Sequence, residues 1–273
     1  MIYFNGCSFT RGWQLEHNLR DSWPAVLSAE LDTVFYNHSK VGGSNERISR
    51  TTQNYILSKK VPVTRNIWTK EYLTEKFKKD VEVKLAIIMW TGINRMEFMQ
   101  DREWRTANWE KFQLNPKNYL PTYESEVAYT RAQSVGDAEK FYLYLNGWMK
   151  TKSARLNLKN SISHMLSTKY FFDALEIPYL FYSFSSQHYK PLLHLLDEEY
   201  IEATNVEWPS IELSKKEILK ELPFLKQEGF YEICKKENLP LGRKDHPDEQ
   251  GHERMAEVIL GDIKEHGYDK TFA

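Results

Sequence analysis

Two stretches of this chain run for a strand's length almost without a polar residue. Lys84 to Trp90 reads K-L-A-I-I-M-W, and Pro178 to Phe184 reads P-Y-L-F-Y-S-F. A strand with one wet face alternates apolar and polar residues. A strand apolar on both faces needs cover on both sides, which is the situation of a parallel sheet between two helical layers. Two shorter runs, Ile2 to Asn5 and Thr33 to Asn37, have the same character, and turn-forming residues follow all four. Helical patterns lie between them. Asp21-Ser22-Trp23-Pro24 offers capping residues and an early proline, followed by Val26, Leu27 and Leu31 at helical spacing. Residues 44–60 and 68–80 carry mixed charge with apolar residues every three or four positions. From Pro247 onward, Met255, Ala256, Val258, Ile259 and Ile263 share one helical face. Strands alternating with helices predict an α/β fold, a three-layer α/β/α sandwich around a parallel sheet.

Two segments break the alternation. Residues 95–165, between the third and fourth strands, hold a large share of the aromatic residues that make up 14% of the chain. Residues 189–240 read as charged, amphipathic helices. Ordinary connections have a median of about 4–6 residues. Both segments are therefore expected to be helical insertions, the first a candidate cap, in a single α/β domain spanning 1–273.

Composition removes several functions. The net charge of −1 lacks the basic excess of a general nucleic-acid binder, so no nucleic acid is expected as partner. Cys7 and Cys234 are too few for a disulfide framework and lack the C-x-x-C spacing of zinc or redox sites. Neither of the two glycine-rich phosphate motifs, G-x-x-x-x-G-K-[ST] or G-x-G-x-x-G, occurs. Chemistry without a metal or cofactor is expected. No apolar run approaches the roughly 18 residues that span a bilayer, and the first residues lack the basic start and long apolar stretch of a signal peptide. The expectation is a chain made and folded in the cytoplasm, with no membrane partner. The oligomeric state is left open.

In open parallel sheets, ligands bind beyond the carboxyl ends of the strands. Ser8, in Asn5-Gly6-Cys7-Ser8-Phe9-Thr10, follows the first strand, and Gly42-Gly43-Ser44-Asn45 follows the second. Thr91-Gly92-Ile93-Asn94-Arg95 follows the third, and His246, in Lys244-Asp245-His246-Pro247-Asp248, precedes the last helix. Ser, Gly, Asn and His in this order resemble the four blocks of the SGNH (GDSL-like) hydrolase superfamily. The first block, G-C-S-F-T, is similar to phage and bacterial members, which implies a phage-encoded chain as one origin. The resemblance implies a flavodoxin-like sandwich and a serine hydrolase, an esterase or deacetylase, that cleaves an ester through an acyl-serine. A small-molecule or acylated carbohydrate ester is the substrate class it implies.

Each matched residue has a physical task. Ser8 is a weak nucleophile until a base takes its proton, and His246 is that base, since an imidazole exchanges protons near neutral pH. The N–H groups of Ser8 and Gly43 and the side-chain amide of Asn94 are the expected oxyanion hole. Arg95 and His252 are candidate supporting residues, and His188 is a competing base at the same sheet edge. The family pattern places an Asp three residues before the histidine, where this chain has Arg243. The nearest carboxylates are Asp245, a candidate supporting residue directly before the histidine, and Asp248, two residues beyond it; a neighbour in an extended segment points away from the ring. The family also includes serine–histidine dyads in which a backbone carbonyl orients the ring. The alternative expectation is a catalytically degenerate module of the same fold, binding carbohydrate or built into a virion.

Overall fold

Ile2–Asn5 (β1) is buried along its whole length and pairs in parallel with a strand on either side, Phe35–Asn37 (β2) and Leu85–Trp90 (β3). Tyr179–Ser183, the fourth strand of this sheet, pairs in parallel with β3 and completes the order β2-β1-β3 and then the fourth strand. The structure is a computed structural model that describes residues 1–57, 82–93, 95–100, 103–108, 154–196, 213–242 and 245–272; for 96–100 and 103–108 it describes the backbone alone. The predicted helix over 68–80 and the aromatic residues from Trp109 to Trp148 lie outside the described residues.

The pleat divides the sheet residues between two cores. Tyr3, Ala86, Ile88 and Trp90 face one side, where they meet Ile48 and Ile56 of helix Asn45–Leu57 and Leu158, Ile162, Met165 and Phe172 of helix Ala154–Ala174. Ile2, Phe4, Leu85, Ile87 and Met89 face the other side. There they meet Trp23 and Leu27 of helix Trp23–Glu30, Phe230 and Cys234 of helix Phe230–Lys236, and Met255, Ile259 and Ile263 of helix Glu249–Glu265. Helices on both faces of a parallel sheet make the three-layer sandwich. They also explain why β3 needs no polar position: all six of its residues are buried. Each large side chain so buried contributes about 1.5–3 kcal/mol from area removed from water.

One expectation changes. The segment after β3 opens not with a helix but with an antiparallel hairpin, Arg95–Gln100 (β4) against Glu103–Asn108 (β5). Arg95-Met96-Glu97-Phe98 alternates polar and apolar residues with period two, a strand pattern and not a helical one. The fourth sheet strand is therefore β6 in chain order, and helix Ala154–Ala174 takes up the end of the segment that leads to it. Beyond β6, the described part of 189–240 is helical, with 3-10 turns at Lys190–Leu196 and Pro223–Lys226 and helices at Lys215–Glu221 and Phe230–Lys236.

Candidate active site

The strand order 2-1-3 followed by β6 places a topological switch point between β1 and β3, where doubly wound sheets open a crevice at their carboxyl ends. Ser8 stands at that point. Its position is set by Gly6, where an added Cβ would lie 2.1 Å from Thr10 Oγ1 and 3.0 Å from Met89 O. The chain thus leaves β1 in contact with the end of β3. Asn5 fixes the same turn: its Oδ1 accepts the Gly6 N–H at 2.9 Å, and its Nδ2 lies 2.9–3.1 Å from Tyr3 Oη, Ile48 O, Thr51 Oγ1 and Thr52 Oγ1. Ser8 then begins the short helix Ser8–Arg11, and its hydroxyl is buried with it at 3% exposure.

His246 arrives from the other end of the chain. Its Nε2 lies 2.7 Å from Ser8 Oγ. The ring stacks on Phe9 (centroids 4.6 Å apart) and meets Trp13 edge-on at 4.8 Å. The turn that aims it is closed by the Gly242 N–H donating to His246 O at 2.7 Å and by a bridge between Leu241 and Pro247. Asp245, immediately before the histidine, has a left-handed backbone with φ 57°. Asp is one of the few side chains that tolerate this region.

The other site residues expected from the sequence fall into place unevenly. Asp245 is exposed and Asp248 caps the last helix, its carboxylate accepting the Gly251 N–H at 3.1 Å. Both acidic neighbours of His246 therefore have positions of their own, and Arg243 lies outside the described residues, as does Asn94. The Ser8 N–H meets no acceptor among the described residues, whereas the Gly43 N–H donates to Lys40 O at 2.9 Å. That bond closes a turn in which Gly42 has φ 76°, as a type II turn requires of its third residue. Gly43 serves instead by close approach: a Cβ there would be 3.2 Å from Gly6 O, so the second loop packs directly on the turn that carries Ser8.

His252, a candidate supporting residue, is buried and bonds a backbone group of another helix. It is 1% exposed, and its Nδ1 accepts the Trp23 N–H at 3.1 Å. It thereby satisfies a first-turn donor of helix Trp23–Glu30, whose Ser22 makes no side-chain cap. Burial, with a smaller push from the charge of His246, lowers its pKa to about 4. His188 packs its ring over Gly92 and is also held below the ordinary histidine value, by burial first and then by Arg95. His188 is joined in the described structure to the end of β3 and to Phe184 (5.0 Å), with no hydrogen bond to Ser8.

Sequence reasoning missed two residues that hold the site together. The Asn45 carboxamide bonds both sides of the Thr91 peptide, and Tyr189 Oη donates to Thr91 O while accepting from Asn45 Nδ2 at 3.1 Å. The available signal was weak, because an Asn in the first turn of a helix ordinarily reads as a local cap.

The fold and this geometry define an α/β sandwich with a buried serine–histidine pair at the switch point of its sheet. Residues 11–183 match the family described as "Family of unknown function (DUF6071)", and the chain belongs to that family. A comparison with curated proteins gives no match. Among solved structures, the chain is similar to a putative lipolytic protein of the G-D-S-L family from Desulfitobacterium hafniense DCB-2, at 15% identity and TM-score 0.44, covering 94% of this chain and 95% of that one. A member of the lipolytic G-D-S-L family from Veillonella parvula DSM 2008 gives 10% identity and TM-score 0.43, covering 95% and 96%. A carbohydrate esterase whose active site "displays divergent catalytic and non-catalytic binding functions" gives 12% and 0.41, covering 97% of this chain and 64% of that one.

Proposed function

We propose that this chain is a serine ester hydrolase of SGNH type, and the observation that carries the reading is the 2.7 Å contact between Ser8 Oγ and His246 Nε2. That distance is within the range for direct proton transfer, about 2.6–3.2 Å. In the first step the Ser8 hydroxyl gives its proton to His246 Nε2 as Oγ bonds to the ester carbonyl carbon. The carbonyl oxygen becomes an oxyanion, which the Ser8 N–H and the Asn94 amide stabilise, each such donor contributing about 2.7–4 kcal/mol. The intermediate collapses, the alkoxide leaves with the proton from His246, and the acyl group remains on Ser8. Water then gives a proton to His246 and its oxygen attacks the acyl carbon. The second intermediate expels Ser8 Oγ, which recovers its proton, and the acid is released.

The working unit of this proposal is the Ser8–His246 pair. Phe9 and Trp13 hold the ring in place by packing on its face and edge. Short acyl esters, including acyl groups on carbohydrate, are the proposed substrates. The test is labelling of Ser8 with a fluorophosphonate probe together with hydrolysis of 4-nitrophenyl acetate. Wild type should be labelled and active. Ser8→Ala should not label, and Ser8→Ala and His246→Ala should each lose about a thousandfold or more in kcat/KM. Folded wild-type protein that neither labels nor hydrolyses the ester overturns the proposal.

A further inference from the structure

Arg95 begins β4, one residue after Asn94, and it is half-buried at the same sheet edge as Ser8. A guanidinium offers five N–H donors. In this structure one nitrogen, Nη1, reaches Gly43 O at 3.4 Å, and Cζ sits 6.0 Å from the centroid of the Phe184 ring. Arg95 forms no ion pair with an Asp or Glu among the described residues. The carboxylate that shares this edge, Glu232, is already engaged by the Ser185 hydroxyl at 2.5 Å, the Ser186 N–H at 2.9 Å and the Gly229 N–H at 3.0 Å.

Both contacts of Arg95 lead to the nucleophile. Gly43, whose carbonyl it touches, packs on the Gly6 carbonyl two residues before Ser8. Phe184, on which it rests, packs on Phe9 at 4.5 Å, and Phe9 stacks on His246. Among the described residues most donors of this partly desolvated cation are uncommitted, which makes it a strong site for a planar oxyanion taken in a two-pronged fashion.

We infer that Arg95 forms an anion subsite beside Ser8, and that the ester hydrolysed here carries a carboxylate close to the bond that breaks. The inference rests on the serine-hydrolase reading above and adds the substrate class to it. A single carboxylate matches the site better than a phosphate dianion, because Arg95 supplies one charge.

The experiment compares wild type with Arg95→Gln and Arg95→Lys on three esters. These are 4-nitrophenyl acetate, mono-4-nitrophenyl glutarate with its carboxylate on the acyl side, and 3-acetoxybenzoate with its carboxylate on the alcohol side. The preference is the ratio of kcat/KM for a charged ester to that for the acetate. Wild type should prefer one of the charged esters, and Arg95→Gln should lower that preference at least tenfold through KM, with Arg95→Lys recovering part of it. In parallel, glutarate and its neutral diamide are titrated calorimetrically into Ser8→Ala with and without Arg95→Gln. Glutarate alone should bind, and only when Arg95 is present. An active wild type with an unchanged preference in Arg95→Gln overturns the subsite and leaves the hydrolase intact. Arg95-dependent glutarate binding by a protein that hydrolyses no ester retains the subsite and overturns the hydrolase.

Discussion

Asn45 holds the Thr91 peptide from both sides: its Oδ1 accepts the Thr91 N–H at 2.9 Å and its Nδ2 donates to Thr91 O at 3.0 Å. The bonds join the first residue of the helix that follows β2 to the residue that follows β3, both at the sheet edge from which Ser8 leaves. Thr91 is fully buried, so removing the carboxamide leaves a peptide N–H without a partner and weakens the hold on its carbonyl.

Asn45→Ala should therefore cost about 2–3 kcal/mol. In a chain of this size that is a fall of roughly 4–10 °C in Tm. Ester hydrolysis measured well below the new Tm should fall further than the folded fraction does, because the loop carrying Asn94 and Arg95 loses its tether. A Tm within 1 °C of wild type would contradict the clamp.

Gly6→Ala tests the contact that places Ser8. The new methyl would meet Thr10 Oγ1 at 2.1 Å and the Met89 carbonyl, which is backbone and yields little, at 3.0 Å. Overpacking of this kind costs about 1–3 kcal/mol. Adding Thr10→Ala should recover part of the stability and less of the activity, since Met89 O remains. Urea unfolding and kcat/KM measured on both variants check the order.

Asp245 separates a dyad from a triad. Its side chain is exposed and its backbone is left-handed. Asp245→Asn keeps the backbone preference and removes the charge, so kcat/KM should stay within about threefold of wild type. Asp245→Val, which disfavours that backbone by roughly 1–2 kcal/mol, should be less stable and less active. A hundredfold loss in Asp245→Asn would make this carboxylate the partner of the imidazole.

His252 predicts an acid-sensitive stability. Its folded pKa, about 4, lies below the ordinary 6.5, so between those values the unfolded chain binds more protons than the folded one. Stability is full above about pH 6.5, declines as pH falls towards 4 and levels below it, with a total contribution on the order of 3 kcal/mol. His38, whose pKa burial lowers to about 3, adds a decline of the same sign that continues to lower pH. His252→Asn can keep an acceptor for the Trp23 N–H and should flatten the pH 4–6.5 part of the profile in urea-unfolding measurements. An unchanged slope would remove His252 as its source.

The sheet was legible in the sequence because burial on both faces leaves a mark that composition alone cannot imitate. The run before Thr91 is apolar at every strand position, and each predicted strand end carried a candidate residue. Ser8 and His246 could be singled out as candidates for the same reason, being placed by punctuation at strand and helix ends. The hairpin that begins at Arg95 was less legible, since its period-two pattern is only a few residues long. Asn45 and Tyr189 were not legible, nor was the backbone N–H that His252 accepts, because each acts on a backbone group from a different element.

By itself, then, the sequence determined the layers and the order in which chemistry-bearing residues reach one edge, since hydrophobic periodicity and turn residues act over a few neighbours. Only the tertiary structure decided that the Gly43 N–H is spent within its own turn, that Asp248 caps a helix, and that Arg95 reaches the Gly43 carbonyl without a carboxylate partner among the described residues. Hydrogen bonds and ion pairs are fixed by positions good to a few tenths of an ångström between segments far apart in the chain, and no local pattern encodes those positions.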